Sequence, residues 1–191
     1  MRPAPDSAIC GHGRGFSFNS MHSTFLDASS GQPESAIVAP ATRMDGLFVC
    51  KAFADLTVHE LQAIHMLRQQ VFVVEQNCVY CDADELDAVS WHLFALDGQG
   101  RALATCRLIP AGWRYVESAI GRVVTTPAVR GTGMGRAVML HALQELAQRS
   151  SGPVRISAQQ RLQRFYESLG FAVASNPYLE DDIAHIEMLR T

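Results

Sequence analysis

The run from Ile120 to Arg136 is Ile-Gly-Arg-Val-Val-Thr-Thr-Pro-Ala-Val-Arg-Gly-Thr-Gly-Met-Gly-Arg. Its β-branched residues end before Pro127, and apolar residues recur at helical spacing from Gly133 to Gln148. Glycines at a helix N-terminus let backbone N–H groups approach an anion closely, and these groups form the positive end of the helix dipole. The stretch therefore predicts a phosphate- or pyrophosphate-binding loop between a strand and a helix.

Two common nucleotide-binding loops do not fit this stretch. A Walker loop needs Gly-Lys-Ser or Gly-Lys-Thr, and the chain contains neither triplet. The dinucleotide fingerprint G-x-G-x-x-G also fails, because neither Gly131 nor Gly133 is followed by a glycine or alanine five residues later. The spacing that does fit is Arg-x-x-Gly-x-Gly, which begins at Arg130.

Further strand and helix patterns surround this loop. Thr57 and Glu60 match a capping box, which predicts a helix start, and residues 77–90 form an acidic, irregular segment. The predicted strands are 47–55, 91–96, 101–109, 120–125, 154–157, 171–174 and 184–189, and the predicted helices are 57–73, 133–148 and 160–169. This order indicates an α/β or α+β fold with a sheet of about six to seven strands.

The composition excludes several classes of protein. The chain has 191 residues, of which 48% are hydrophobic and 18% charged, and this mix is typical of a globular protein. Its formal net charge of −3 provides no positive field for a nucleic-acid backbone or an anionic membrane. No stretch approaches the roughly 20 apolar residues that span a bilayer. We therefore expect no nucleic-acid partner and no membrane partner.

Residues 1–43 differ in composition from the rest of the chain. They are rich in Ser, Ala, Gly and Pro, and their hydrophobic residues follow neither helical nor strand spacing. Such a segment cannot offset a chain entropy of roughly 1–2 kcal/mol per residue, so we expect a disordered extension before a domain at 44–191. The alternative is a translation start at Met44. Five cysteines without a disulfide-type spacing, and no readable secretory signal, make the cytoplasm the expected location.

Several blocks of sequence together resemble the GNAT superfamily of N-acetyltransferases. The second hallmark block, after the Arg-x-x-Gly-x-Gly loop, is Arg-Phe-Tyr-Glu-Ser-Leu-Gly-Phe at 164–171. The blocks that are similar to the ElaA-like branch are 67–76, 84–87, 90–93 and 185–188. The resemblance covers 44–191 and implies the GNAT fold, a mixed central sheet flanked by helices. The Arg68-x-x-Val71-Phe72 block also resembles acyl-homoserine lactone synthases, but the intact loop and the Leu-Gly-Phe block favour an ordinary acetyltransferase.

The resemblance also implies a site for acetyl-CoA, the acetyl donor. The pyrophosphate would lie on the loop amides, and the pantetheine arm would pair with the preceding strand. The implied acetyl-CoA-binding residues are Val123, Val124, Thr125, Arg130, Gly131, Thr132, Gly133, Met134, Gly135, Arg136 and Arg164. Tyr166 is implied as the proton donor to the CoA sulfur, with packing at a helix seam as the alternative.

Acetyl transfer to an amine also needs a neutral nitrogen. An alkylamine with a pKa of about 10.4 is neutral in only about one molecule in 2,500 at pH 7, so a base or a desolvating site is required. Glu117 is a candidate because related enzymes carry a glutamate near this point of the central strand. Glu75 follows an unusually apolar run, and His92 can exchange a proton near neutrality. A structural hydrogen bond is the alternative for each.

Other sequence features leave alternatives open. The fold could serve as a non-catalytic acyl-CoA sensor or a partner-binding module. Cys78 and Cys81 have the C-x-x-C spacing of a redox pair or half a zinc site, but two further ligands are missing, so we expect no metal. His185 and Glu187 alternate on one strand face and are candidates to line the acceptor pocket. The acceptor is expected to be a small-molecule or peptide amine, and the sequence does not exclude an oligomer.

Overall fold

The computed structural model describes residues 46–191. The strands are β1 (Val49–Ala52), β2 (Trp91–Leu96), β3 (Ala102–Ile109), β4 (Ser118–Thr125), β5 (Val154–Gln159), β6 (Ala172–Val173), β7 (Tyr178–Glu180) and β8 (Ile183–Arg190). The helices are α1 (Val58–Arg68), α2 (Leu86–Val89), α3 (Met134–Ala147) and α4 (Gln163–Glu167). The strands form one sheet in the order β1-β2-β3-β4-β5-β8-β6, and β7 also pairs with β8.

This sheet is mixed, because β4 and β5 are parallel and the other pairs are antiparallel. The main apolar core lies between the sheet and the helices α3 and α4, and a smaller cluster lies between the sheet and α1. The expected α/β fold with helices flanking a mixed sheet is therefore confirmed. The sheet has eight strands instead of six to seven, because the three-residue β7 carries too little pattern to be predicted.

Local sequence explains the two longest helices. At the start of α1 the Thr57 side chain accepts from the backbone of Glu60, and the Glu60 carboxylate accepts from the Thr57 backbone, as the capping box predicts. The chain then continues as a π-helical segment over Gln69–Glu75. Such segments are rare in proteins and are frequently found at functional sites. The apolar stripe of α3 packs on the sheet, where Val138 and Met139 are fully buried.

The parallel strands β4 and β5 pair over two residues only. Ser118 is opposite Val154 and Ala119 is opposite Arg155, and no further pairs follow. On its other side β4 has a bulge against β3, where Arg122 adopts a positive φ of 52°. The backbone of β4 beyond Ala119 is therefore paired with β3 but separated from β5, and a gap opens between two parallel strands.

Some sequence predictions differ from the structure or lie beyond it. The acidic segment predicted as irregular contains the short helix α2, and the helix predicted at 160–169 is reduced to a 3₁₀ turn at Gln160–Leu162 followed by α4. The disordered extension predicted for 1–43 lies outside the described residues. Within residues 46–191, none of the helices has both the length and the apolar character that crossing a bilayer requires.

Candidate active site

A cavity of about 590 Å³ occupies the gap between β4 and β5. Residues of both strands line the cavity. The other lining residues come from the π-helical segment after α1, the start of α3, the helix α4 and the turn between β7 and β8. Seven of the residues predicted to act in the site line this cavity, namely Glu75, Val123, Val124, Thr125, Arg130, Gly135 and Tyr166. The fold therefore brings the predicted loop, strand and tyrosine to one place.

The glycine-rich loop ends at the N-terminus of α3 with free backbone donors. Gly131 and Gly133 have φ angles of 77° and 92°, a region that side-chain-bearing residues rarely adopt. No side chain caps the helix, and its first backbone bond runs from Ala137 N–H to Gly133 O. The amides of Met134, Gly135 and Arg136 thus remain available to an anion, while the Met134 side chain is buried in the core.

The arginines near the loop have different partners. Arg130 forms two 2.8 Å hydrogen bonds to the Glu75 carboxylate, and Arg136 donates to Ser168 Oγ at 3.1 Å. Arg164 is exposed and does not line the cavity. Arg161, to which the sequence analysis gave no role, does line the cavity, and its Nε donates to Gln159 at 3.0 Å. An arginine one turn before the aromatic pair is the only sequence signal that could have indicated it.

Tyr166 lies on α4 between the core and the cavity. Its ring is 7% exposed and makes edge contacts with Phe165 and Phe171, at centroid distances of 5.0 and 6.1 Å. Burial raises the pKa of the Tyr166 hydroxyl to about 12, and the nearby Cys106 thiol contributes in the same direction. The hydroxyl is therefore protonated throughout the physiological pH range and can donate a proton.

Two of the three predicted bases lie away from the cavity. The Glu117 carboxylate sits in a separate shallow cleft and accepts hydrogen bonds of 3.1 and 2.7 Å from Arg155, which lower its pKa. His92 is 1% exposed on β2, its Nε2 lies 3.0 Å from Asp87 O, and burial lowers its pKa. Neither side chain reaches the space between β4 and β5, so we do not propose either as the base.

Glu75 is the one predicted base that lines the cavity. Hydrogen bonds from Arg130 lower the pKa of this exposed carboxylate. A carboxylate held as the anion by a bidentate arginine is a weak proton acceptor. In the structure Glu75 instead accepts both hydrogen bonds of the Arg130 guanidinium, so it competes with any anion for this loop arginine.

A buried charge cluster forms one wall of the cavity. It consists of Arg68, Arg107 and Arg122 with Asp82, Asp84 and Asp87. Arg68 and Arg107 are each 1% exposed, and Arg68 bonds Asp82 and Asp87 at 2.7 Å. The cluster fastens the segment after α1 to the sheet. Arginines on α1, β3 and β4 pair with the carboxylates of this acidic segment.

Burial by itself raises the pKa of Asp87, but hydrogen bonds from Arg68 and Arg107 and their charges outweigh it, so the pKa is lowered. The pKa of Asp84 is lowered in the same way, mainly by Arg107 against the cost of burial. Both carboxylates are therefore ionised at neutral pH, and the cluster of three cations and three anions carries no net charge.

A hydrogen-bonded polar group beside the β7–β8 hairpin also lines the cavity. Ser157 lies 2.6 Å from the Tyr178 hydroxyl and donates to Glu180 at 2.9 Å, and Arg114 pairs with Glu180 at 3.3 Å. His185 lies beside them, on the strand face that it shares with Glu187. Glu187 itself does not line the cavity and bonds Arg155 instead.

The two cysteines of the C-x-x-C spacing are free thiols in the structure. Cys78 lines the cavity, and its Sγ lies 3.7 Å from the carbonyl oxygen of Asp181. Cys81 is exposed. In the described part of the chain no three His, Cys, Asp or Glu side chains are grouped so that they could hold a metal ion.

Comparison with known proteins agrees with this architecture. The family model "Acetyltransferase (GNAT) domain" matches residues 91–191. A UPF0039 protein of Schizosaccharomyces pombe is 45% identical over 143 residues, which are 74% of this chain and 94% of that protein. Protein ElaA of Escherichia coli is 36% identical over 140 residues, 72% of this chain and 91% of ElaA.

A solved structure supports the same assignment. The acyl-CoA N-acyltransferase of Pseudomonas aeruginosa is 44% identical, with a TM-score of 0.72 over 75% of this chain and 98% of that protein. The sequence identities extend over most of the length of each relative, and the strands and loop of the cavity lie within the matched family model. The chain belongs to the GNAT acetyltransferase superfamily, in its ElaA-like branch.

Proposed function

We propose that this protein transfers an acetyl group from acetyl-CoA to the amine of a small molecule or peptide. The observation that carries the proposal is the gap between β4 and β5, which ends at the uncapped start of α3. The backbone of β4 beyond Ala119 can pair with the amide groups of a pantetheine arm. The free amides after Gly133 can hold the pyrophosphate, because they present several N–H donors and the positive end of the helix dipole.

Tyr166 is proposed as the general acid that protonates the departing CoA sulfur. Its hydroxyl is protonated, it lines the cavity, and it is held in place by packing against two phenylalanines. A pKa near 12 also makes it a weaker acid than free tyrosine. The same buried environment disfavours a CoA thiolate, however, so the proton affinity of the sulfur rises as well.

The test is thiol release by the purified protein with acetyl-CoA and a panel of amines. The panel contains putrescine, spermidine, lysine, a peptide with a free N-terminus and kanamycin, and the product is identified by its added acetyl mass. We expect thiol release and an acetylated product with at least one member. Tight binding of acetyl-CoA without transfer to any amine would instead support a non-catalytic acyl-CoA sensor.

Substitution of the helix-capping glycine tests the pyrophosphate site. We expect Gly133→Val to weaken CoA binding at least about tenfold, or about 1.4 kcal/mol, because valine disfavours a φ of 92° and displaces the loop amides. Isothermal calorimetry measures the affinity. Gly100→Val is the matched control, since Gly100 has a φ of 77° in the β2–β3 turn, away from the cavity. Equal CoA affinity in both folded variants would contradict the assignment of the loop.

The Glu75 and Arg130 pair provides a second test at the same loop. If Arg130 contacts a CoA phosphate, Glu75 competes with that phosphate for the guanidinium. We therefore expect Glu75→Gln to tighten CoA binding by about twofold to fivefold, the range of an exposed ion pair. The exposed Glu85→Gln serves as the control. A kcat reduced about 100-fold in Glu75→Gln, with unchanged CoA affinity, would show that Glu75 is the base after all.

A further inference from the structure

The imidazole of His185 is hydrogen-bonded by its own strand, which selects one tautomer of the neutral ring. Its Nδ1 lies 2.8 Å from the carbonyl oxygen of Ile183. A carbonyl oxygen can only accept a hydrogen bond, so Nδ1 carries the hydrogen and Nε2 of the neutral ring has the free lone pair. Within residues 46–191, Nε2 of His185 makes no hydrogen bond and is not among the sealed, unpartnered buried atoms.

His185 lines the same cavity as Tyr166. His185 is opposite Gln159 in the β5–β8 pairing and stacks on Tyr178, with ring centroids 6.2 Å apart. The stacking on Tyr178 and the hydrogen bond of Nδ1 to Ile183 restrict the ring. A base for acetyl transfer needs an available lone pair, a fixed orientation and access to the acceptor nitrogen, and this side chain meets the first two conditions by its contacts.

We propose that Nε2 of His185 is the general base that takes a proton from the acceptor amine, a role that rests on the proposed acetyl transfer. The acceptor would therefore enter the cavity from the end formed by the β7–β8 hairpin. The Glu180 carboxylate, which accepts from Ser157 beside Tyr178, would stabilise the imidazolium that forms.

Glu180 itself is a poorer base than the imidazole. Burial raises the pKa of Glu180, but the hydrogen bond from Ser157 and the charges of Arg114 and His185 lower it further than burial raises it. Its oxygens already accept from Ser157 and Arg114. The Glu75 carboxylate is likewise occupied by Arg130. Among the described residues that line the cavity, His185 thus offers a ring nitrogen, Nε2, that no hydrogen bond occupies.

The proposed step conserves atoms and charge. His185 Nε2 takes one proton from the ammonium form of the acceptor, and the neutral nitrogen forms the C–N bond to the thioester carbonyl carbon. Tyr166 donates its proton to the sulfur as the C–S bond breaks, and the second nitrogen proton restores the Tyr166 hydroxyl. His185 then releases its proton to water. The products are the amide, the CoA thiol and one proton.

The experiment compares two acceptors in His185→Gln. One is the most active alkylamine of the panel, which is protonated at neutral pH, and the other is hydroxylamine, which is uncharged there and needs no base before attack. We expect kcat with the alkylamine to fall about 100-fold, while the enzyme-dependent rate with hydroxylamine and the affinity for CoA barely change. His59→Gln, at an exposed position of α1, is the matched control and should resemble the wild type.

A second variant, His185→Ala, separates loss of the base from loss of folding, because only the missing base can be replaced from solution. In His185→Ala, added imidazole should restore alkylamine acetylation, whereas imidazole should have no effect on the wild type. An equal loss of the alkylamine and hydroxylamine rates, or no loss of either, would overturn the assignment while leaving acetyl transfer established. Wild-type protein that binds acetyl-CoA but acetylates neither acceptor would overturn the proposed function and the base together.

Discussion

Tyr166→Phe is expected to lower kcat by about 100-fold and to leave KM for acetyl-CoA almost unchanged. Phenylalanine preserves the edge contacts with Phe165 and Phe171 and removes only the hydroxyl group. The measurement is steady-state kinetics with the best amine of the panel, together with the melting temperature of each protein. The melting temperature should barely change, because the ring continues to fill the seam beside α4.

The pH dependence separates this role from a packing role. A thiol has a reference pKa of about 8.5, so above about pH 9 the sulfur leaves more easily as a thiolate. The Tyr166 hydroxyl, with a pKa of about 12, remains protonated over that range in the wild type. The difference in kcat between wild type and Tyr166→Phe should therefore narrow as the pH rises above about 9. A lower melting temperature with an intact kcat would identify Tyr166 as a packing residue only.

Arg68→Ala should destabilise the fold by about 3–5 kcal/mol, the range observed when one member of a buried ion pair is removed. Its guanidinium is 1% exposed and bonds both Asp82 and Asp87, which would be left buried with fewer partners. For a domain of this size the melting temperature should fall on the order of 10 °C. Arg68→Lys should recover only part of this loss, because an ammonium cannot reproduce the forked geometry.

The matched control for Arg68 is Arg101→Ala. Arg101 pairs with Asp97 at 2.8 Å, but its side chain is 73% exposed, so its removal should cost less than about 1 kcal/mol. Urea or thermal denaturation followed by circular dichroism compares the two variants. Equal stability of Arg68→Ala and Arg101→Ala would show that the buried cluster does not hold the segment after α1 on the sheet.

Most of the fold could be predicted because it depends on short-range patterns. The capping box of α1 and the apolar stripe of α3 involve residues within a few positions of each other, and both are present as predicted. The hairpin of β2 and β3 follows from a Gly-containing turn between two apolar runs. The short elements α2 and β7 were missed because three or four residues are too few to show a period.

In the candidate site, too, the features set by local sequence could be predicted and those set by distant partners could not. The loop from Arg130 to Arg136 could be proposed as a phosphate site from the sequence because such a site depends on backbone geometry, which glycine spacing and a helix start specify locally. The base could not be identified in this manner. Glu117 and Glu75 are both glutamates near apolar runs, and only their partners, 38 and 55 positions away in the chain, reveal that arginines already occupy them.

The amino-acid sequence by itself therefore determined the family, the order of most elements and the glycine-rich loop before α3, since these depend on neighbouring residues and on backbone conformation. The tertiary structure alone decided which charged groups are buried, which are paired and which face the cavity. Arg122 pairs with Asp82, which lies 40 positions away in the sequence. His185 lies opposite Gln159 on the neighbouring strand β5. A side chain's proton affinity depends on its solvent exposure and on the charges around it, and chain folding sets both.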